Sequence, residues 1–168
     1  LNHDLKEYEK AYNLFLEAIK VNPSGFQALS NLATIHMHNK NYRLAHKCLT
    51  KSFSINSSYI PTINNLAGYY YKMNDAKNTL HYSQLSLRIQ PNNPIAQNQY
   101  AKALIINNNL EEAIKLLENL NKEDPNNDNY AYNLSSAYRE IGEFKKANQI
   151  STEGFKKDYK QVTYLLGY

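Results

Sequence analysis

The sequence predicts an all-α solenoid of stacked antiparallel helix pairs, and three observations predict it. Turn-forming residues recur on a 34-residue frame, apolar and small residues recur at helical spacing inside it, and residues tolerant of positive φ mark its midpoint. Pro23, Pro91 and Pro125 lie 68 and 34 residues apart, and Ser57 occupies the intervening position. "AIKVNPSG", "SLRIQPNN" and "ENLNKEDPNN" share one shape, an apolar-periodic helix tail followed by Pro and polar turn residues. Each proline ends one helix and pre-sets the turn before the next.

In chain order the frame gives residues 1–25 as the second helix of a preceding unit, then full units 26–59, 60–93, 94–127 and 128–161. Residues 162–168 begin a further unit or a capping helix. In the first helix of each unit the fourth, seventh, eighth and eleventh places face the core. They hold Leu29, Leu32, Ala33 and His36; then Ile63, Leu66, Ala67 and Tyr70. The later units supply Gln97, Tyr100, Ala101 and Leu104, then Ala131, Leu134, Ser135 and Tyr138.

In the second helix the twentieth, twenty-fourth and twenty-seventh places read Ala45, Leu49, Ser52; Thr79, Ser83, Ser86; Ala113, Leu117, Leu120; and Ala147, Ser151, Gly154. The leading half-unit contributes Ala11, Phe15 and Ala18. Two helices approach closely only where small side chains occupy their crossing point, which explains Ala, Ser and Thr at the eighth and twentieth places. The turn inside each unit needs positive φ, met by Asn74, Asn108 and Gly142 and less well by Lys6 and Lys40. Ser83 and Ser86 predict that the second helix of unit 60–93 is the softest layer.

"LAxxH", "LAxxY" and "LSxxY", followed by Ala and then Pro on this frame, resemble the tetratricopeptide repeat (TPR) family over essentially the whole chain. The resemblance implies a right-handed superhelix, with first helices lining a concave surface. It further implies ligand contacts at the second, fifth, sixth, ninth, twelfth and thirteenth places. On this sequence the resulting peptide-binding face comprises Asn31, Thr34 and His38, then Asn64, Asn65, Tyr71 and Lys72. It continues with Asn98, Gln99, Lys102, Ile105 and Ile106, then Tyr132, Asn133 and Arg139.

That surface is amide-rich, nearly neutral and apolar only at Ile105–Ile106. It lacks the cations of the carboxylate clamp found in chaperone-tail-binding members of the family, so that reading is rejected. The sixth place reads Asn31, Asn65, Gln99, Asn133. An amide carries a donor and an acceptor, so a column of them can hold an extended chain of varied sequence. The column resembles the asparagine ladder in the superhelix of O-linked N-acetylglucosamine transferases.

Other chemistries fit less well. "NLATIHMHNKNYRLAHKC" gathers His36, His38, His46 and the single cysteine Cys48, all zinc ligand types. On the frame, however, His36 takes the slot of Tyr70 and Tyr138, while His36/His38 and His46/Cys48 are two residues apart and diverge on their helices. Packing explains them, and no metal or other cofactor is expected. No Gly-rich phosphate loop, G-x-S-x-G elbow or H-E-x-x-H helix occurs, so no catalytic residue is assigned and no enzyme is expected.

In "YYYK", Tyr70 is core, Tyr69 faces a neighbouring helix or solvent, and Tyr71 alone looks into the groove. One tyrosine is no stacking platform for bases.

The charge of +4 is split unevenly: residues 1–84 carry nine Lys/Arg against five Asp/Glu, and residues 85–168 ten against ten. Mixed runs such as "KEYEK" read as solvated helix surface, and nucleic acid is not an expected partner. No stretch approaches the ~20 apolar residues that cross a bilayer, and no basic-then-apolar leader is visible, so no membrane partner is expected. A lone cysteine fits a reducing, cytoplasmic setting.

The expected role is a non-catalytic interaction module holding a protein or peptide segment, as part of a larger protein. The alternatives are a substrate-capture arm of a transferase encoded elsewhere in the chain, and a scaffold that self-associates through apolar ends at Leu14–Phe15 and Tyr164–Leu166.

Overall fold

A computed structural model describes residues 2–151, with side chains from residue 9 onward; the segment proposed above to start a further repeat or cap, and Gly154, lie outside the described residues. Eight complete helices follow one another: α1 (Asn2–Val21), α2 (Phe26–His38), α3 (Tyr42–Ile55), α4 (Ile60–Lys72), α5 (Ala76–Ile89), α6 (Pro94–Ile106), α7 (Leu110–Glu123) and α8 (Asp128–Glu140). Residues 144–151 are also helical, and no strand occurs among the described residues. First helices begin at Phe26, Ile60, Pro94 and Asp128, so the 34-residue period is kept to the residue.

The connections explain why the period holds. Between units, the side-chain oxygens of Asn22, Asn56 and Asp124 accept the backbone N–H two residues later, closing the same turn three times. Asn93 and Asp75 cap α6 and α5 by accepting backbone N–H groups of the first turn. Within units, the chain turns through positive φ at Lys40 (60°), Asn74 (55°), Asn108 (60°) and Gly142 (80°). All four match positions expected to carry that turn; Lys6, also expected there, instead lies within helix α1, which runs unbroken from Asn2 to Val21.

The chain divides into two compact units, Leu1–Pro91 and Asn92–Tyr168. In the first, α2 packs on α3 and α4 on α5, with α1 against α2 and α3 against α4. Ala33, Leu49 and Leu66 form its core cluster, bordered by Cys48, Phe53, Tyr69, Tyr70 and Tyr82. Tyr70 and Tyr82 stack at 5.5 Å, and Phe53 meets Tyr82 edge-on. In the second unit Ala101, Leu117, Leu120, Leu134, Ala137 and Ala147 anchor a larger cluster.

In the four full units every crossing-point residue at the eighth and twentieth places is buried: Ala33, Ala67, Ala101 and Ser135, opposite Ala45, Thr79, Ala113 and Ala147; Ala11, at the twentieth place of the leading half-unit, is half-buried. Three expectations shift. Tyr130, one place earlier, is buried while Ala131 is only half-buried, because α8 also packs on α7. Tyr70, Gln97 and Tyr100 are half-buried rather than core. Ala18 is exposed because, among the described residues, α2 alone packs on α1.

Ser83 and Ser86 sit fully buried where unit 94–127 holds Leu117 and Leu120, and both hydroxyls are satisfied. Ser83 Oγ donates to the Leu80 carbonyl (3.0 Å), and Ser86 Oγ to Asn64 Oδ1 (2.6 Å). Ser52 Oγ likewise lies 2.8 Å from the Phe26 carbonyl and 2.6 Å from Thr62 Oγ1. A net hydrogen bond contributes about 1 kcal/mol, against about 2–5 kcal/mol for a buried leucine side chain over alanine. This layer is therefore satisfied but less cohesive than its Leu117–Leu120 counterpart.

Two predictions follow from the turns and the core. Left-handed backbone costs a β-carbon-bearing residue about 1–2 kcal/mol, part of which glycine loses again through unfolded-state entropy. Lys40→Gly should therefore raise stability by about 0.5–1 kcal/mol in urea denaturation, and Gly142→Ala should lower it by a similar amount although its Cβ would meet nothing within 4 Å.

His36 is buried edge-on against Tyr12 (5.7 Å), and burial lowers its pKa from the ordinary 6.5. The unfolded chain then binds a proton at higher pH than the folded one. This contribution to stability is complete above pH 6.5 and is lost as pH falls toward the lowered folded value. The melting temperature should drop between pH 7.5 and 5.5, and His36→Phe should flatten that slope.

Candidate functional site

The side chains named for the binding face come from first helices, and in each unit these lie side by side: α2 with α4, and α6 with α8. On the α2–α4 face, Asn31, Thr34 and His38 are exposed, Asn64, Asn65 and Tyr71 half-buried, and Lys72 exposed. On the α6–α8 face, Asn98, Gln99, Lys102, Ile105 and Ile106 are half-buried, Arg139 is exposed, and Tyr132 stands 74% exposed. Ile95, at the second place of α6, is 60% exposed on the same helix.

The amides of this face have work inside the protein. Asn65 Nδ2 donates to Ser30 Oγ (3.2 Å) and Thr34 Oγ1 (3.1 Å), with the Ser30 carbonyl at 3.5 Å. A carbonyl beside that atom identifies it as the nitrogen, leaving Oδ1 as the remaining acceptor. In the second unit Asn133 Nδ2 donates to Asn98 Oδ1 (2.9 Å). Both bonds span 35 residues, from the sixth place of one repeat to the fifth place of the one before.

Asn133 is only 8% exposed, and Asn64 is turned away to receive Ser86 Oγ. Within each unit a sixth-place amide, Asn65 or Asn133, thus ties neighbouring first helices together. The frame could not reveal this, because the bonds depend on a hydroxyl or amide at the fifth place of a different repeat.

Three side chains of the histidine–cysteine stretch, His36, His46 and Cys48, are absorbed by packing, while His38 is exposed. His46 Nε2 lies 3.1 Å from Tyr70 Oη and its ring leans on Tyr69, while His36 is buried against Tyr12. Burial raises the Cys48 thiol pKa, against the opposing influence of Lys47 and Lys51. No group of three metal-ligating side chains occurs among the described residues. Tyr138 Oη donates to Glu118 beneath the Lys146 ammonium, and burial together with that bond pushes its pKa up to about 12. This trio joins α7, α8 and the following helix, and its role is structural. No helix among the described residues is long and apolar enough to cross a membrane.

A search of curated proteins finds no match. Residues 70–138 match the tetratricopeptide repeat family. Among solved structures, the chain resembles TTC0263, a thermophilic TPR protein of Thermus thermophilus. That pair gives a TM-score of 0.78 and 17% identity over 99% of this chain and 91% of the other. It also resembles MamA of Desulfovibrio magneticus RS-1 (TM-score 0.76, 15% identity, 95% and 92% coverage). A third similar structure is YrrB, a TPR protein with an unusual peptide-binding site (TM-score 0.69, 18% identity, 98% and 85% coverage).

At these identities the structures speak for fold, and the matched residues speak for family. Both agree with the helix pairs, the small-residue crossings and the unbroken period of 34. Residues 70–138 carry tetratricopeptide repeats, and the chain as described has the fold of proteins built from them.

Proposed function

We propose that this protein is a non-catalytic peptide-binding module whose first-helix faces hold an extended segment of a protein partner. Tetratricopeptide repeats are in general interaction modules, and YrrB, similar in fold, has a peptide-binding site. The observation that carries the reading is Tyr132, a large amphipathic ring left 74% exposed on a face of half-buried amides. Such a ring presents area and a hydroxyl at low entropic cost, as binding anchors do. On the same pair of helices Gln99, Lys102 and Arg139 supply polar contacts and Ile105 and Ile106 apolar ones. On α4, Asn65 Oδ1 offers an acceptor to a peptide N–H while its nitrogen stays bound to α2.

The test uses peptides selected from a random displayed library, with affinities measured by calorimetry. Changing Tyr132, Gln99 and Arg139 together to Ala should weaken binding about ten- to a hundredfold, since a hot-spot ring contributes about 2 kcal/mol and a net hydrogen bond about 1. The helical circular dichroism should be unchanged, as Tyr132 and Arg139 are exposed and Gln99 lies outside the core. The matched outer-face change of Lys115, Asn119 and Lys122 to Ala should leave affinity intact. The opposite pattern places binding on the outer face and sinks the proposal.

One observation favours a second reading, self-association. On α1, Leu14 is 61% and Val21 86% exposed, and Ala18 is exposed where its frame equivalents Ser52, Ser86 and Leu120 are buried. If that surface joins two copies, sedimentation should show concentration-dependent association that Leu14→Glu with Val21→Glu abolishes. A monomer at high micromolar concentration counts against it.

A further inference from the structure

We infer that the outer face of the first unit, on α3 and α5, is a second binding surface, and that it takes an acidic segment of a protein partner. From Ala18 to Pro91 the chain carries eight Lys/Arg and a single carboxylate, Asp75. That carboxylate is engaged: it accepts from the backbone N–H of Asn78 at 3.0 Å and from its amide at 2.7 Å. The helices α3 and α5 contain no acidic residue at all.

The cations are also aligned. Arg43, Lys47 and Lys51 follow one another at i, i+4 and i+8 along α3, and all three are exposed. On α5, Lys77, His81 and Arg88 lie at i, i+4 and i+11, and they too are exposed. Successive residues turn about 100°, which sets both stripes roughly 180° from the buried Ala45–Leu49–Ser52 and Thr79–Ser83–Ser86 rows.

Side chains bridge the two helices, Phe53 of α3 meeting Tyr82 of α5 edge-on at 5.6 Å. Lys77 and Arg43 occupy the same place in the 34-residue frame, as do His81 and Lys47, so the stripes face the same way. Among the described residues no ion pair joins any of these cations to a carboxylate within 4.0 Å. Lys77 is the nearest to one, lowering the pKa of Asp75 as the last of several influences.

Five aligned cations, with His81 in the same row and Asp75 as the single carboxylate of this stretch, attract an anionic partner. Its chemistry follows from the spacing and from what lies between. Cations four residues apart on a helix are about 6 Å apart, close to the ~6.7 Å between alternate residues of an extended chain. Acids at every second position can therefore meet Arg43, Lys47 and Lys51 in turn. A single-stranded nucleic acid also needs rings for its bases to stack on. The rings nearby, Phe53 and Tyr82, are half-buried and packed on each other instead. The observations favour polypeptide carboxylates.

The test uses the full chain and a fluorescent 12-residue peptide of alternating Glu and Ser, with a 12-nucleotide dT strand as the second arm, in anisotropy titrations at low and physiological salt. Each exposed ion pair contributes a factor of roughly 1.5 to 5, so the peptide should bind at low salt and weaken at least tenfold at physiological salt. Arg43→Glu, Lys47→Glu and Lys51→Glu together should reduce low-salt affinity by thirtyfold or more. Lys77→Glu with Arg88→Glu, on the other helix, should reduce it about tenfold; circular dichroism checks that both variants remain helical.

The first-helix variant at Tyr132, Gln99 and Arg139 should bind the acidic peptide normally, which separates this surface from the one proposed above. The inference is overturned if the peptide fails to bind at low salt, if either charge reversal leaves its affinity unchanged, or if the dT strand binds more tightly than the peptide.

Discussion

The close crossing of the two helices in each repeat is the constraint on which everything else depends. Helices of 13 and 14 residues expose too little apolar surface to hold together unless their backbones come near each other. A buried Ala or Ser opposite a buried Ala or Thr meets that condition in all four repeats. With the crossing set, α2, α4 and α8 each have one side on their own partner and another on the preceding second helix. The sides left over become the two surfaces that reach solvent. The amide face and the basic stripes are thus consequences of packing.

Positions dictated by backbone geometry were legible in the sequence. Asn74, Asn108 and Gly142 announced the turns because few residues accept positive φ, and Lys40 was readable there only through the frame. The frame also absorbed His36 and Cys48 into packing. Directions of side chains were not legible. Whether the Asn65 amide faces a ligand or α2 depends on Ser30, and the answer for Asn133 depends on Asn98, each 35 residues away. Burial on the second side of the first helices was also missed: Thr62 is held by Ser52, and Tyr130 displaces Ala131 from the core. A periodic template records one contact per helix, whereas these helices make two.

Charge shows the same limit. Counted along the chain, Lys and Arg look dispersed among acids, because the acids of residues 1–17 and of the second half balance the sum. Placed on helices, Arg43, Lys47 and Lys51 form a row with nothing opposite in sign between them. Counts by half-chain average over faces, and a partner meets one face at a time.

The serine-lined layer of residues 60–91 bears on how the protein comes apart. An array whose repeats touch only their neighbours behaves like a one-dimensional chain of coupled elements, and its cooperativity is set by its weakest link. Hydroxyl bonds to Asn64 and Leu80 give that layer less cohesion than Leu117 and Leu120 give the next repeat. Opening will begin there, because a repeat with less internal cohesion opens at a lower free energy than its neighbours. Amide exchange under mild denaturant should then resolve the chain into two blocks that open at different free energies, a graded response where a compact globule of this length shows a single step.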